Sequence, residues 1–370
     1  MAQDRIGSPP PERIAVVRAL RGLGDMLCTV PALRALRASL PRARITLVGL
    51  PAARVLQERF AHYLDDLLEF PGFPGIPEVA ADPARLPEFF ANVQGRFDLA
   101  LQMHGSGTHS NPFTILLGAR DAAGFYLPSL WCPDPDRFTA YPAHLNEVRR
   151  WLALMEFLGI PPAGESLEFP VTAADEERLG SAWPERRDGR YVCVHPGATD
   201  RERMWPTERF AAVADALAAE GLVPVLTGTE GEKEITAAVV RSMRSKAVDL
   251  AGRTDLGALA ALVRDAELVV CNDTGVSHLA AALSTPSVII FSASDPERWA
   301  PLDLELHRAV GEVMPERANS CRHTADVDGH RCLRDGCSSL MIEGRASWSP
   351  AGIDEALGQA RELLGAARTG

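Results

Sequence analysis

Apolar and polar residues alternate in blocks along this chain, and the blocks predict strands and helices in turn. An apolar strand at residues 268–271 runs directly into Asp273 and Thr274, and an Ala-rich helix and a second apolar strand at 287–291 follow. This order predicts a βαβ unit with a small, polar strand-to-helix turn. Because helix N-termini carry unpaired N–H groups and partial positive charge, the turn is suited to an anion. Capping of a buried helix by Asp273 or Thr274 is the alternative.

The first part of the chain repeats this organisation. A strand at 14–17 leads into a Gly-rich turn, and an amphipathic helix and a strand at 45–48 follow. Leu27 stands where a dinucleotide-binding fingerprint has its third glycine, and no acidic residue ends the second strand, which argues against nicotinamide or flavin binding. Asp25 instead places a carboxylate at the carboxyl end of the first strand, where open α/β sheets bind ligands. Helix capping is the alternative role for Asp25.

The length of the chain and its alternation of strands and helices predict two α/β domains. At 370 residues, each domain is large enough to bury its own core. Alternating strands and helices imply parallel sheets with right-handed crossovers. We predict a disordered lead-in, an N-terminal domain, a linker, a C-terminal domain and a C-terminal helix at residues 1–12, 13–165, 166–189, 190–349 and 350–370.

Composition narrows the class of partner. Hydrophobic residues make up 46% and charged residues 24% of the chain, and the net charge is −11, which argues against broad nucleic-acid binding. The lead-in has no apolar core of a secretory signal, so we expect a cytoplasmic protein. A peripheral contact with the cytoplasmic membrane face would need a local basic patch. The arginines around the first helix could form one or could be a solvated face: Arg34, Arg37, Arg42 and Arg44.

The cysteines raise the question of a metal. Seven cysteines in a chain without a signal suggest reduced thiols. Five potential ligands lie close together in sequence: Cys321, His323, His330, Cys332 and Cys337. Their spacing matches no standard zinc-ligand pair, so a structural metal and a loop with incidental thiols both stay open.

Four motifs occur in order along the chain. They are GDMLCTVPAL at 24–33, HPGA at 195–198 followed by RMWP at 203–206, TGTEGE at 227–232, and DTGVSHLAAA at 273–282. Together they resemble the motifs of glycosyltransferase family nine, the heptosyltransferase family of lipopolysaccharide synthesis. The resemblance spans nearly the whole chain. It implies a GT-B fold, with two Rossmann-like domains facing each other across a cleft and a C-terminal helix that packs back on the first domain.

The same resemblance implies an inverting transfer of a heptose-like sugar from a nucleotide diphosphate, ADP-linked, to a hydroxyl of a lipopolysaccharide core or another glycan or glycolipid. Asp25 matches the family's proposed base, which takes the proton of the acceptor hydroxyl. Arg203 stands where the family carries Lys, and either cation can neutralise the diphosphate. None of the four motifs contains an Asp-x-Asp pair, so we expect neither an obligatory metal nor another cofactor.

The candidate site residues fall into two groups. Those for the donor are Thr199, Arg203, Glu232, Asp273, Thr274, Gly275 and His278. Those for the acceptor, which follow the Gly-rich turn and the strand at 99–103, are Gly24, Gln102, His104 and Asn111. Glu232 could instead favour a helix N-terminus, His278 could be a structural histidine, and His104 a loop residue.

Two other functions stay open at this point. One is a GT-B nucleotide-sugar enzyme of the epimerase type, which needs no separate acceptor. The other is a non-catalytic nucleotide-sugar-binding protein that has kept the fold. Turnover with an added acceptor separates the transferase from both.

Overall fold

The structure, a computed structural model, describes residues 5–186, 190–314, 347–349 and 352–366. These residues form two compact units: unit 1 runs to Glu165, and unit 2 begins at Ser166. Each unit contains a six-stranded parallel sheet, and helices connect most of the successive strands. The predicted fold class of two Rossmann-like α/β units is therefore confirmed.

Unit 1 contains six strands and six helices within the described residues. Their bounds are β1 Arg13–Val17, α1 Leu23–Leu27, α2 Val30–Ser39, β2 Arg44–Gly49, α3 Arg54–Arg59, β3 Asp66–Glu69, α4 Leu86–Val93, β4 Leu99–Gln102, α5 Ser110–Leu116, β5 Asp121–Tyr126, β6 Phe138–Ala140 and α6 Glu147–Phe157. The strand order is β3-β2-β1-β4-β5-β6. The direction of winding therefore reverses between β1 and β4, which makes a topological switch point there.

Unit 2 repeats this plan. Its elements are α7 Ala173–Ala182, β7 Tyr191–His195, α8 Thr207–Ala219, β8 Val223–Leu226, α9 Lys233–Ser242, β9 Val248–Asp249, α10 Leu256–Arg264, β10 Leu268–Asn272, α11 Gly275–Ala282, β11 Ser287–Ile290, α12 Pro296–Trp299, β12 His307–Val310, β13 Glu312–Met314, β14 Ser347–Ser349 and α13 Ile353–Ala366. The order β12-β11-β10-β7-β8-β9 places the switch point between β7 and β10.

The central strands of both sheets are apolar and buried. All residues of β10 are buried, as expected for a parallel strand covered on both faces. In β10, Val270 pairs with Val194 of β7 and Cys271 with His195. The register brings the carboxyl ends of β7 and β10 to the same edge, so the loops that follow them emerge side by side.

The segment predicted as a linker contains helix α7. Thr172 and Asp175 form a capping box that starts the helix. Leu179 is fully buried, and Arg178 Nε lies 2.7 Å from Asp255 Oδ2, which ties α7 to the start of α10. The Pro- and charge-rich composition concealed this short helix, although the Thr-x-x-Asp signal was present in the sequence.

Both ends of the described chain contact the unit to which they belong. The apolar stripe of α13, including Leu357 and Leu364, is buried in the core of unit 2. It packs there together with residues of α8. In the segment predicted as a disordered lead-in, the guanidinium of Arg5 lies 4.2 Å from the Phe157 ring centroid. Arg5 Nη1 also donates to the Phe157 carbonyl at 2.8 Å.

Candidate functional site

Most of the predicted site residues lie in or near the loops at the two switch points. In unit 2 the loop after β7 carries the HPGA motif, and the turn after β10 carries Asp273 and Thr274. In unit 1 the loop after β1 leads to Asp25, and His104 follows β4. Ligands of open α/β sheets bind at such crevices, so the topology supports both locations.

Asn272 joins the two loops of unit 2. Its Oδ1 accepts a hydrogen bond from the backbone N–H of Trp205 at 3.0 Å, and its Nδ2 donates to the carbonyls of Pro196 at 2.8 Å and Gly197 at 3.4 Å. Asn272 is fully buried, so these bonds satisfy groups that water cannot reach. The side chain fixes the HPGA loop and the RMWP segment against the end of β10.

This arrangement brings Arg203 to Asp273. The nearest nitrogen and oxygen of the two side chains, Nη1 and Oδ2, are 4.0 Å apart. Asp200 caps the short 3-10 turn of Arg201–Arg203 by accepting from the N–H of Glu202 at 3.1 Å. The Arg203 side chain is 40% exposed, whereas that of Asp273 is 4% exposed. The carboxylate thus lies beside a partly exposed guanidinium whose donors can reach a ligand.

Thr274 caps helix α11. Its Oγ1 accepts from the N–H of Val276 at 3.3 Å, so the capping interpretation holds for Thr274. Gly275 begins the helix, and its partial burial leaves backbone close to the surface of the turn. His278 is buried one turn later, and its ring packs edge-on against Trp299, with ring centroids 6.1 Å apart.

Glu232 lies in the turn after β8. It forms a capping box with Thr229, so part of its carboxylate stabilises the turn, as the helix-start interpretation expected. His195 and Thr227 lie beside it, with His195 Nδ1 3.1 Å from Thr227 Oγ1. Burial lowers the pKa of His195, and Glu232 opposes that shift. Thr199, predicted to contact the donor, is exposed on the loop after β7.

In unit 1, Asp25 lies in helix α1 directly after the Gly-rich turn. Its side chain is 28% exposed, and its Oδ1 lies 3.8 Å from Nη2 of the buried Arg18. A Cβ at Gly22 would lie 2.2 Å from Oδ2 of Asp25, so a side chain there would displace the carboxylate. The carboxylate is therefore accessible and lies beside a cation, and the neighbouring Gly24 is buried.

Gln102 and Asn111, predicted to contact the acceptor, are buried within unit 1. Gln102 Nε2 donates to Ser110 Oγ at 2.9 Å, and its Oε1 accepts from the N–H of Phe125 at 3.0 Å. Asn111 Nδ2 donates to the Phe125 carbonyl at 2.9 Å. These side chains shape the loop after β4, and an acceptor could reach them only if that loop rearranged.

His104 also has a structural role in unit 1. Its Nδ1 accepts from the backbone N–H of Ala19 at 3.2 Å, which joins the loops after β1 and β4. Burial, with a further contribution from Arg18, lowers the pKa of His104 to about 3. The ring is therefore neutral, and its Nε2 faces Glu78 Oε2 at 3.8 Å.

Sequence reasoning missed Arg18 and Asn272. Each is a polar residue that ends or directly follows a buried central strand at a switch point. That position was a usable signal, because polar groups there must find partners in the adjacent loops. Glu147, at the start of α6, gave no comparable signal, since acidic residues are common in the first helical turn.

Three other predictions concern metals and membranes. Within the described ranges, no group of three or more His, Cys, Asp or Glu side chains is placed to hold a metal ion. Cys321, His323, His330, Cys332 and Cys337 lie outside those ranges. No helix in the part of the chain that the structure describes is long and apolar enough to cross a membrane. In the arginine patch, Arg37 pairs with Asp65 and Arg44 with Asp66.

The sequence model of glycosyltransferase family 9 (heptosyltransferase) matches residues 89–327, well over half of the chain. The chain belongs to this family. The match includes every predicted donor residue of this glycosyltransferase family 9 protein, from Thr199 to His278. It begins after Asp25, so the role of that residue depends on the first motif and on the geometry of its turn.

Known proteins that are similar to this chain include heptosyltransferases and a family 9 glycosyltransferase. Lipopolysaccharide heptosyltransferase 2 of Escherichia coli K12 is 35% identical over 167 residues, 42% of this chain and 48% of that protein. The chain thus spans about half the length of the curated relatives that it matches. Among solved structures, a family 9 glycosyltransferase from Veillonella parvula has a TM-score of 0.69 at 21% identity, covering 95% of this chain and 97% of that one. The ADP-heptose lipopolysaccharide heptosyltransferase II of Escherichia coli has a TM-score of 0.67 at 19% identity, covering 96% and 99%. These similarities show that the fold is shared.

Proposed function

We propose that this family 9 protein is an inverting heptosyltransferase. It transfers a heptose from ADP-heptose to a hydroxyl group of a lipopolysaccharide core or a related glycolipid. Family membership supports the reaction class, and the name of the Escherichia coli structure supports the donor. The acceptor is the amphiphilic product of an earlier step, so we expect the enzyme to work in the cytoplasm at the membrane face.

The observation that carries this proposal is the position of Arg203 beside Asp273 at the switch point of unit 2. A nucleoside diphosphate carries two or more negative charges, and an oriented guanidinium binds phosphate oxygens through parallel hydrogen bonds. The start of α11, at Gly275, adds backbone N–H groups and the positive end of a helix dipole. Both would stabilise the diphosphate as it leaves, without a metal ion.

Asp25 is the general base in this proposal. Its carboxylate takes the proton of the acceptor hydroxyl as that oxygen forms a bond to the anomeric carbon of heptose. The bond from the anomeric carbon to the diphosphate breaks in the same displacement, and ADP leaves with the electron pair. Attack opposite the leaving group inverts the anomeric configuration. No covalent sugar–enzyme intermediate is required.

The donor assignment is tested by thermal unfolding with ADP, UDP, GDP, CDP and dTDP. A ligand that binds only the folded state stabilises it by about 2.7 kcal/mol at a concentration 100 times its Kd. We expect ADP to raise the melting temperature of the wild type more than the other nucleotides do. Arg203→Ala should lose most of this shift, while Arg201→Ala, an exposed arginine in the same turn, should keep it. Equal shifts with all five nucleotides, or with none, would contradict the donor assignment.

A further inference from the structure

Three charged side chains of unit 1 are buried together next to the Asp25 turn. Arg18, Glu147 and Arg150 are 1%, 3% and 0% exposed. Taking charges out of water is costly, and replacing a buried ion pair by apolar residues is often neutral or stabilising. Stability alone is therefore a weak explanation for this cluster at the switch point of the sheet.

Arg18 clamps the backbone around Asp25. Its Nε donates to the Asp25 carbonyl at 3.1 Å, and Nη2 donates to the same oxygen. Its Nη1 donates to the carbonyl of Met103, directly after β4, at 2.6 Å. The guanidinium carbon lies 4.7 Å from the ring centroid of Trp151 in α6. One planar side chain thus joins the Asp25 turn, the loop after β4 and α6.

Glu147 lies beside the same guanidinium. Its Oε1 lies 3.9 Å from Arg18 Nη2 and accepts from Trp151 Nε1 at 3.0 Å. Its Oε2 accepts from Arg150 Nη1. Arg150 in turn donates to the Leu145 carbonyl at 2.9 Å, so it is anchored to the backbone before α6. Neither Glu147 nor Arg18 can rotate without breaking several buried hydrogen bonds.

The cluster also sets the charge next to Asp25. Two buried arginines against one buried glutamate leave one net positive charge, and Arg18 is the member nearest to the Asp25 carboxylate, at 3.8 Å. The charged and titratable side chains around the turn and the cluster, within the described residues, include Arg18, Arg21, Glu78, His104, Glu147 and Arg150. Burial keeps the pKa of His104 at about 3, so it adds no charge near neutral pH.

We propose that Arg18 and Glu147 are positioning residues for Asp25. Arg18 fixes the backbone of Asp25 and favours its ionised form, and Glu147 fixes Arg18 and partly offsets its charge. This inference rests on the proposed function, because it assigns a task to the base of that reaction. It extends the catalytic machinery from the Gly-rich turn to the first turn of α6.

The test is the pH dependence of kcat and kcat/KM for heptose transfer by four variants and the wild type. The variants are Arg18→Gln, Arg18→Lys, Glu147→Gln and, as a control, Glu165→Gln, which removes an exposed carboxylate paired with Arg149 in the same unit. Thermal unfolding of each variant measures the folded fraction. The KM for ADP-heptose reports donor binding, which we assign to residues of unit 2.

Arg18→Gln should lower kcat at least tenfold, leave the KM for the donor within about twofold, and move the acidic limb of the profile upward by about one to three pH units. Arg18→Lys should restore the limb but only part of kcat, because an ammonium lacks the guanidinium fork. Glu147→Gln should move the limb the opposite way, since it leaves the arginines uncompensated. Glu165→Gln should match the wild type.

Profiles of unchanged shape, with kcat falling only as the folded fraction falls, would overturn the inference and indicate a purely structural cluster. A shift in the same direction for Arg18→Gln and Glu147→Gln would also overturn it. If the wild type itself transfers no heptose, the proposed function fails, and the inference fails with it. The two failures are therefore distinguished by the activity of the wild type.

Discussion

The carboxylate of Glu232 lies against the main chain of Gly197, in space that any side chain at position 197 would need. A Cβ atom at Gly197 would come within 2.1 Å of Glu232 Oε1. The other oxygen, Oε2, accepts from N and Oγ1 of Thr229 at 2.7 and 2.9 Å. Glu232 therefore has one oxygen engaged in its own turn and one directed at the loop after β7.

Gly197→Ala should displace Glu232 or the HPGA loop. Because both border the proposed donor site, we expect ADP affinity to fall about tenfold, equivalent to about 1.4 kcal/mol. Gly231→Ala in the neighbouring turn is the matched control, since the nearest atom to its Cβ would be Thr229 Oγ1 at 3.9 Å. Calorimetric titration with ADP measures both. Equal affinities would show that the contact between Glu232 and Gly197 does not shape the site.

Replacing Arg203 separates its charge from its geometry. Arg203→Ala should lower kcat/KM for the donor by about 10- to 100-fold, because hydrogen bonds to charged groups contribute about 1.5–3 kcal/mol. Arg203→Lys keeps the positive charge and should recover most of the loss. Steady-state kinetics with varied ADP-heptose measure both variants. An Arg203→Lys enzyme as impaired as Arg203→Ala would indicate that the fork geometry, and not the charge, is required.

Asp25→Asn should remove the base and leave the donor site intact. We expect kcat to fall by about 10²–10⁴, the usual contribution of general base catalysis, with an unchanged thermal shift by ADP. Asp66→Asn, which changes an exposed carboxylate paired with Arg44, should retain activity. Turnover by Asp25→Asn close to that of the wild type would exclude Asp25 as the base.

Asn272→Ala should destabilise unit 2. It would leave the N–H of Trp205 and the carbonyl of Pro196 buried without their partner, and each such group costs about 1–3 kcal/mol. Asn92→Ala changes an exposed residue of α4 and should leave the melting temperature unchanged. Thermal unfolding followed by circular dichroism compares them. An Asn272→Ala melting temperature equal to that of the wild type would mean that other groups or water can replace its hydrogen bonds.

The lowered pKa of His104 predicts that the stability of the protein depends on pH. Burial, aided by Arg18, lowers its pKa from 6.5 to about 3, so between these values the unfolded chain binds a proton there that the folded chain does not. Stability should therefore fall as the pH drops from 6.5 towards 3. His104→Asn, which keeps an acceptor for Ala19, should reduce this slope by up to about 1.4 kcal/mol per pH unit. Denaturant unfolding at pH 7, 6 and 5 measures it, and the exposed His144→Asn should keep the wild-type slope.

The sequence predicted the central strands and the loops that follow them, because long apolar runs and Gly-rich turns are local signals. Strand β10 ends one residue beyond its predicted bound of 268–271. Strand β9, with only two residues, has no detectable pattern of its own and exists because β8 pairs with it. Short elements of this kind are fixed by tertiary contacts.

The candidate site was also predictable only in part. Arg203 and Asp273 come from motifs 70 residues apart, and the parallel pairing of β7 with β10 explains why they meet. The burial of Gln102 and His104 was not predictable from the sequence. A polar residue at the end of a strand can either contact a ligand or hold a neighbouring loop through hydrogen bonds, and the sequence pattern is the same in both cases. Only their hydrogen bonds to Phe125 and Ala19 distinguish the two.

Heptose transfer itself tests the account most directly. The purified chain is incubated with ADP-heptose and a lipopolysaccharide core acceptor that lacks heptose, and both ADP release and acceptor mass are measured. We expect ADP release that depends on the acceptor, together with an acceptor heavier by one heptose residue. ADP release without a change in acceptor mass, or no release with any core acceptor tested, would contradict it.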